Sequence, residues 1–555
     1  MRCELDMPNV GVDKIVVITV RNDDVKGAER LNSSGDRQAM PAAASTGRNI
    51  LSNLLGNVIY AAIGFSLAPI MIHGLGDLKY GMWALCLSLL GSYGLIDTGM
   101  RITMQRFVAR FKAMNQRESL NQVLATVMAL MASASLGLCA LTPILLLFLP
   151  NFFHVAHSSQ SLFRWVFGLV GLSIAFIFPA RALATYLSGL QRFDLFNLGS
   201  SLTTITRALL IVAALHFGTS LLGVAGSSLA VEALSLPLYW YLVRRADPGL
   251  SLRLHDVKLF RMRELAGFSF YAYMGNAGDY LRFSTDSAVI TRLLGVALVT
   301  PFSVAGRLMD NFRALVSTFS SPLMPRMSEF DGQGRTDDLE AFFVRSSKMT
   351  TLISFFMGSL VLLDGKSLLR LWLGERFVSS FGLLLMLTVG YVLALAQMPS
   401  VSLLFAKGKH HLLGWWTLGE GIANLLLSIL WARRFGLLGV ALGTTVPMLV
   451  TGLLIQPLYV VHLLNIPLGR YVRRVFGGPT VALGLFVLAS KLSFSGQTQL
   501  SILVFVFVLG CQSVLFAVLT YATALNKDER QLARERLRQV ATSIGSLITR
   551  KEVSM

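Results

Sequence analysis

Three ionisable side chains lie close together in the stretch NAGDYLRFSTDS, residues 276–287. Asp279, Arg282 and Asp286 are spaced i, i+3 and i+7, so one face of an α-helix would carry all three. A carboxylate in this setting can hold a proton or a sodium ion. An arginine can bind phosphate oxygens through two parallel hydrogen bonds. The surrounding residues are mostly apolar, which predicts that these charges lie within a membrane-spanning helix.

The next apolar segment carries three further charges, each at the same predicted depth as one of the first three. We consider an antiparallel helical hairpin with its turn near Gly295. Two residues that lie at the same depth, one on each helix, are equally far from the turn, so their residue numbers add up to the same value for every such pair. This rule gives three pairs of opposite charge: Asp286 with Arg307, Arg282 with Asp310, and Asp279 with Arg313. An isolated charge at the bilayer centre costs at least about 3 kcal/mol, and a partner at the same depth removes much of that cost. We therefore expect ion pairs between the two helices.

Other polar residues lie in apolar segments elsewhere. The same rule pairs Arg207 with Glu232, whereas Glu420 has no partner at matched depth. Asn53 and Asn57 share a face of the first apolar segment. They could line a cavity or form hydrogen bonds between helices.

The elements that hold these residues are set by the composition of the chain. Of its 555 residues, 54% are hydrophobic and 14% are charged, and the mean hydropathy is +0.61. Soluble domains have about 25% charged residues. Apolar runs of about 20 residues, enough to cross a hydrocarbon core, recur from Ile50 to Leu525. Barrel strands would alternate apolar and polar residues, and runs such as LCALTPILLLFL do not. The fold class predicted is an all-α polytopic membrane protein.

Fourteen spans are predicted, an even number that places both termini on one side of the membrane. They are 50–73, 80–98, 121–149, 163–187, 196–217, 220–243, 265–295, 297–325, 346–363, 381–406, 413–432, 438–463, 476–491 and 499–525. Thirty-five Lys and Arg fall in the tails and loops on the side of the termini, and nine fall on the other side. By the positive-inside rule the basic side, which carries both termini, is cytoplasmic. The rule also accounts for the net charge of +19 without a nucleic-acid partner.

Two halves of the chain resemble each other. SLLGVAGSSLAVEALSLPLYW begins at Ser220, and GLLGVALGTTVPMLVTGLLIQPLYV begins at Gly436. Both contain LLGVA, then small or hydroxyl residues, then PLY, in the same phase of the sixth and twelfth spans. The offset predicts two six-helix lobes in parallel orientation, and transporter sites commonly lie between such repeats. The predicted organisation is a poorly ordered tail (1–47), two lobes (48–263 and 264–475), two added spans (476–525) and a basic tail (526–555).

The remaining features exclude several classes of chemistry. The four cysteines have no disulfide or metal-ligand spacing, and the chain contains no P-loop and no CxxC, so no cofactor is expected. Lys14–Val20 could form a short strand, and Met40 is an alternative start. The basic tail has helical spacing of apolar residues, which suits either a helix on an anionic leaflet or a solvated helix.

Several stretches resemble the Wzx-type O-antigen and exopolysaccharide flippases. The first is GLGDLKYGMWALCLSLLGSYGLIDTGMRITMQRFVARF, residues 74–111, in which Asp97, Gly99 and Arg106 hold the family's Asp-x-Gly and basic positions. RRFGLLGVALGTT (433–445) and residues 295–330 are similar to that family's twelfth and eighth spans. The resemblance implies a V-shaped transporter of the multidrug, oligosaccharidyl-lipid and polysaccharide exporter superfamily. Its substrate would be an undecaprenyl-pyrophosphate-linked oligosaccharide, moved by alternating access.

With that substrate, the charged residues acquire candidate roles. The candidate substrate contacts are Arg282, Arg307, Arg207, Arg313, Asn53 and Asn57. The candidate sites for a coupling proton or sodium ion, or ion-pair partners, are Asp279, Asp286, Asp310, Glu232 and Glu420. A purely structural ion-pair zipper remains an open alternative, because a pyrophosphate needs an arginine that has no carboxylate partner.

Three functions are compared. A cation-coupled multidrug exporter of the same superfamily is the alternative to the flippase, and the abundance of arginine at mid-depth favours an anionic cargo over a cationic drug. A membrane glycosyltransferase or polymerase would need a larger catalytic domain or loop than the sequence offers, so no enzymatic activity is expected. Membrane lipids, and polymerases and glycosyltransferases of the same pathway, are the expected partners.

Overall fold

The computed structural model describes residues 40–91, 93–258, 274–320, 322–494, 501–531 and 534–535. Within these ranges the chain is helical or connects helices, and no strand occurs. The strand predicted at Lys14–Val20 and most of the basic tail lie outside the described residues.

Six helices form the first lobe, and the remaining helices form the second lobe and its additions. The first six are α1 (Met40–Gly91), α2 (Gly94–Ala113), α3 (Arg117–Phe152), α4 (His157–Gly189), α5 (Phe193–His216) and α6 (Ser220–Ala246). The next seven are α7 (274–283), α8 (Asp286–Leu293), α9 (Val299–Ser320), α10 (Leu323–Gly332), α11 (Thr336–Leu373), α12 (Phe381–Ala396) and α13 (Met398–Ala406). The last five are α14 (His410–Val450), α15 (Gln456–Leu463), α16 (Leu468–Val472), α17 (Gly478–Phe494) and α18 (Ile502–Leu519).

Short irregular helices join some of these elements. Three 3₁₀ turns are Leu254–Asp256, Val296–Leu298 and Glu375–Ser380. Three π-helical turns are Thr451–Ile455, Arg473–Gly477 and Thr520–Ala524.

The helices agree with the predicted number of spans. Ten segments in the described residues are long and apolar enough to cross a membrane. Two of them, Ile59–Gly91 and His411–Leu463, each contain two predicted spans, because a glycine with positive φ bends the helix at Gly76 and at Gly436. The predicted seventh and eighth spans are not among the ten: residues 259–273 lie outside the description, and charged residues lower the hydropathy of α9. The chain is a multi-pass helical membrane protein.

The repeated LLGVA sequence has the same local structure in both lobes. The residue before it has positive φ in each case, Ser220 at 56° and Gly436 at 60°. Its glycine then packs against the end of the preceding helix. A Cβ at Gly223 would overlap the Thr219 side chain, and a Cβ at Gly439 would overlap the Trp431 carbonyl. The repeat therefore encodes a tight connection between antiparallel helices, used once per lobe.

The two lobes share a core at one end and have separate cores at the other. The shared core contains Ile72 and Leu85 of α1 together with Val304 of α9 and Leu369 of α11. At the end that carries the basic loops, one core lies within the first lobe and another within the second lobe. The lobes therefore meet at the end opposite the basic loops and diverge toward the basic end, which is the V-shaped arrangement predicted.

Polar contacts reinforce the shared end. The Thr300 hydroxyl donates to the Asp77 carbonyl over 2.6 Å, and the Arg376 guanidinium lies 3.2 Å from the Asp77 carboxylate. The Trp372 indole stacks on Phe65, with ring centroids 4.5 Å apart, and donates to the Phe65 carbonyl. Because every one of these contacts joins α1 to the second lobe, α1 is the main link between the lobes.

The two added helices, α17 and α18, pack on the second lobe. Phe516 of α18 lies with its ring centroid 4.8 Å from Phe356 of α11 and 5.3 Å from Phe486 of α17. These helices lie on α11, away from the contact between the lobes.

Candidate functional site

The predicted charged residues lie where the two lobes begin to diverge. The Tyr280 hydroxyl donates to the Ser88 carbonyl over 3.1 Å, and the Ser88 hydroxyl donates to the Ser284 carbonyl. These two hydrogen bonds join α1 to the second lobe, and Asp279 and Arg282 lie within one turn of them. We call this region, formed by residues 279–286 and the facing part of α9, the apex.

A close crossing of two helices fixes the arginine of the apex. Gly278 of α7 lies against the backbone of Thr417 and Leu418 in α14, so that a Cβ at Gly278 would overlap both. Gly421 lies equally close to the Gly278 carbonyl. Because glycine has no side chain, the backbones of α7 and α14 can approach closely at these two positions, one turn before Arg282.

Arg282 is held by a carboxylate that sequence reasoning left without a partner. Its Nη1 lies 2.7 Å from Oε1 of Glu420, which is buried in α14. The Thr451 hydroxyl donates to the other Glu420 oxygen over 2.7 Å. The guanidinium also lies over the Phe283 ring, 4.1 Å from its centroid. Arg282 is therefore a neutralised, well-anchored cation.

Asp286 lies in a different environment, without a cationic partner among the described residues. Its side chain is 2% exposed. The Thr444 hydroxyl donates to Oδ2 over 2.9 Å, and the Ser428 hydroxyl lies 3.5 Å from Oδ1. The Asn424 side-chain oxygen and the Val440 carbonyl each lie 3.3 Å from that Ser428 hydroxyl. A carboxylate surrounded by neutral oxygens suits a bound cation or a proton.

Two of the three charges of α9 are exposed. Arg307 and Asp310 are exposed on the same stripe as Ala314 and Ser317. Within the described part of the chain, no carboxylate lies within 4.0 Å of Arg307. Arg307 therefore forms no ion pair in this part of the chain, although Asp310 lies one helical turn away on the same exposed stripe.

Arg313 and Asp279 form a loose pair. Their nearest charged atoms are 4.0 Å apart, and both side chains are 40% exposed. Asp279 also lies 3.7 Å from Arg282. The Arg313 guanidinium lies 4.9 Å from the centroid of the Phe283 ring, on which Arg282 also packs. The apex therefore contains two arginines around one aromatic ring and one shared carboxylate.

The predicted pair in the first lobe is present. Arg207 and Glu232 form an ion pair between α5 and α6, with the arginine 40% exposed. Asn53 and Asn57 lie on α1, as predicted, and their side chains are outside the described residues. Arg207 therefore lies in the opposite lobe from the apex cluster.

Two of the predicted pairs are wrong. Arg282 pairs with Glu420 instead of Asp310, and Asp286 accepts hydrogen bonds from α14 instead of pairing with Arg307. Matching depth on a hairpin says nothing about the direction in which a side chain points around the helix axis. In addition, the chain turns at residues 284–285 between α7 and α8, which directs Asp286 toward α14. The complete zipper of the seventh and eighth spans is therefore not formed.

Sequence reasoning also missed the neutral residues that surround these carboxylates. They are Asn424, Ser428, Thr444 and Thr451. The available signal is the pair of threonines after LLGVALG, from which only the internal repeat and the family resemblance are inferred above. Polar residues on a helix otherwise rich in leucine would have pointed to a partner on α7 or α8.

Comparison with known proteins agrees with this architecture. A family model described as "Polysaccharide biosynthesis protein" matches residues 172–381. A Shigella flexneri protein named "Putative O-antigen transporter" is 22% identical over 421 residues, which cover 74% of this chain and 97% of that protein.

Two solved structures share the fold. "Lipid II flippase MurJ, inward closed conformation" aligns with a TM-score of 0.66 at 12% identity, over 85% of this chain and 98% of that one. An inward-facing multidrug resistance MATE family transporter of the MOP superfamily aligns with a TM-score of 0.63 at 14% identity, over 74% of this chain and 95% of that one.

The fold and the apex define the class: a two-lobe helical membrane protein with the architecture of the MOP transporters. Within this class, the family match at residues 172–381 and the Shigella relative confirm the resemblance to the Wzx-type flippases of polysaccharide biosynthesis.

Proposed function

We propose that the protein moves a lipid-linked oligosaccharide, carried on undecaprenyl pyrophosphate, across the bacterial inner membrane by alternating access. The basic side faces the cytoplasm in this proposal, and both termini lie there. The protein acts as a transporter without changing the substrate covalently. Polymerases and glycosyltransferases of the same polysaccharide pathway would act before and after it.

The observation that carries the proposal is an exposed arginine at the apex that forms no ion pair with a described residue. Arg307 is exposed without a carboxylate partner in the described residues, and Arg313 shares Asp279 with Arg282. A pyrophosphate carries concentrated negative charge, and a guanidinium can bind its oxygens through paired hydrogen bonds. An exposed arginine at this position whose hydrogen-bond donors are not held in an ion pair with a described residue favours an anionic cargo over the cationic drugs that a multidrug exporter would carry.

The oxygen cluster around Asp286 supports a coupling ion. The cluster lies within the second lobe and connects α8 to α14, so a cation bound there would change the packing of the two helices behind the apex. A ligand can shift the balance between two conformations only if it binds one of them more tightly. A cation at Asp286 would meet that condition if the two helices move apart during transport.

The test uses the native host with its own copy of the gene deleted. Arg307→Gln should reduce export of the surface polysaccharide at least tenfold, because losing a charge-assisted hydrogen bond costs about 1.5–3 kcal/mol. Arg307→Lys should retain part of the export. The lipid-linked intermediate should accumulate in cells that carry the glutamine variant.

Arg433→Gln is the matched control, since Arg433 is exposed at the end opposite the basic loops. It should export normally. Normal export by Arg307→Gln, at an equal amount of protein in the membrane, would contradict the proposal.

A further inference from the structure

A cavity of about 700 Å³ lies at the basic end of the second lobe, apart from the apex. It is lined by Lys348 of α11, by α16 and the π-helical turn after it, by the first residue of α17, and by the chain that follows α18. The polar residues lining it are Lys348, Arg470, Arg473, Arg474, Thr523 and Asn526. The cavity therefore combines four basic side chains from two separate parts of the second lobe.

The three arginines are available to a ligand. Arg470, Arg473 and Arg474 are spaced i, i+3 and i+4, which places them on one face, and all three are exposed. In the described residues no carboxylate lies within ion-pair distance of any of them. Three neighbouring like charges repel one another, so an anion bound between them would be stabilised.

The fourth basic residue forms the inner wall of the cavity. Lys348 is buried, and its Nζ lies 2.6 Å from Oε2 of Glu529. The same Glu529 oxygen accepts a hydrogen bond from the Asn526 backbone over 2.8 Å. The Glu529 carboxylate is therefore occupied by two donors and is not available to neutralise the three arginines.

The wall depends on a close approach between two added elements. Gly478, the first residue of α17, packs against Ala524. A Cβ at Gly478 would lie only 2.9 Å from the Cα of Ala524. This contact joins α17 to the chain after α18. The two added helices therefore supply one wall of the cavity.

The surroundings of the cavity place it at the membrane surface. Leu468 and Val472, which flank Arg470 on α16, are 44% and 46% exposed. Val481 and Leu485 of α17, one to two turns beyond the cavity, are 54% and 42% exposed. Exposed apolar residues beside arginines are typical of helices at the interface between headgroups and acyl chains. A ligand of this cavity would therefore have both an anionic headgroup and an apolar tail.

We propose that the cavity binds the phosphate headgroup of an anionic phospholipid from the leaflet on the basic side. The arginines bind the phosphate, and the acyl chains lie along the exposed apolar face of α17. The lipid thereby connects α16 and α17 to the segment after α18. This proposal does not depend on the transport function, because it concerns a site outside the apex.

The test measures thermal unfolding of the purified full-length protein in detergent during titration with dioleoylphosphatidylglycerol. The lipid should raise the Tm, and dioleoylphosphatidylcholine should not. Arg473→Gln/Arg474→Gln should weaken the apparent affinity about thirtyfold. Each basic residue near an anionic surface contributes about 1 kcal/mol, and each 1.4 kcal/mol is tenfold in affinity. Arg470→Gln alone should weaken it about fivefold on the same scale.

The matched control is Arg433→Gln/Arg434→Gln, which removes two exposed charges at the opposite end and should leave the lipid response unchanged. Inorganic phosphate and pyrophosphate distinguish a soluble anion from a lipid and should give no Tm shift at equal concentration. Two results would overturn the proposal: an unchanged lipid response in both Arg470→Gln and the double variant, or an equal response to inorganic phosphate.

Discussion

At the scale of single residues, the arginines of the apex have different environments and different expected roles. Arg282 is bound to the buried Glu420, whereas Arg307 is exposed and lacks such a partner in the described residues. Removing one member of a buried ion pair leaves the other charge uncompensated, which costs about 3–5 kcal/mol. Arg282 is therefore expected to stabilise the fold, and Arg307 to contact the substrate.

Variants of the buried pair test whether Arg282 stabilises the fold while Arg307 contacts the substrate. Arg282→Met and Glu420→Gln should each lower the Tm of the purified protein, because each variant should lose about 3–5 kcal/mol of the free energy of unfolding. The double variant should lose less than the two single losses combined, because neither charge is left alone. Arg307→Gln should leave the Tm unchanged. Strictly additive losses in the double variant would show that the pair is not a coupled unit.

The surroundings of Asp286 lead to a prediction about ions. Sodium chloride should raise the Tm of the protein above its value in choline chloride at equal ionic strength, because a cation that binds only the folded state stabilises it. Thr444→Val removes the hydroxyl that donates to Asp286 and should abolish most of this difference. Unfolding curves in the two salts measure it.

The adjacent threonine is the control for this measurement. The Thr445 hydroxyl donates to the Met386 carbonyl over 3.0 Å and does not contact Asp286. Thr445→Val should therefore keep the sodium response. A wild-type protein with no sodium-specific shift would contradict a sodium site and leave a proton as the ion that Asp286 holds.

At the scale of elements, the apolar segments of the described residues confirm twelve of the fourteen spans predicted from the sequence, which also predicted the depth of two charged pairs. The pairs Arg207–Glu232 and Asp279–Arg313 were predicted from depth alone, and both lie within ion-pair distance. Arg282 and Asp286 were assigned wrong partners because their true contacts are on α14, more than 130 residues away. The depth rule compares only the two helices of one hairpin, so it cannot predict a contact with a third helix. The glycines that bring α14 close to α7 cannot be distinguished from the many other glycines of this membrane sequence.

The crossing of α7 and α14 can be tested through its glycines. Gly278→Ala should lower both the Tm and transport, because the new Cβ would overlap the backbone of Thr417 and Leu418 and push Arg282 away from Glu420. Gly275→Ala is the matched control. Gly275 lies on the same helix as Gly278, and a Cβ at Gly275 would meet no neighbouring atom within 4 Å. Equal behaviour of the two variants in unfolding and export assays would contradict the role of this crossing.

At the scale of the whole molecule, the distribution of cores suggests how the lobes move. The shared core at the end opposite the basic loops holds the lobes together, whereas the basic ends have independent cores. This distribution would allow each lobe to move as a unit about the shared end, where α1 and the contact of Arg292 with His154 join the lobes. The apex lies between these two regions, so a rocking motion would expose it first to one side and then to the other.

The access of solvent to the apex tests this account most directly. A cysteine at Ala314, on the exposed stripe with Arg307, should react in membrane vesicles with a membrane-impermeant thiol reagent from the basic side. It should become reactive from the opposite side only when the transporter cycles with substrate. A cysteine at Leu315, on the neighbouring apolar face, should react from neither side. Equal labelling of both positions, or labelling of Ala314→Cys from one side under all conditions, would contradict alternating access at the apex.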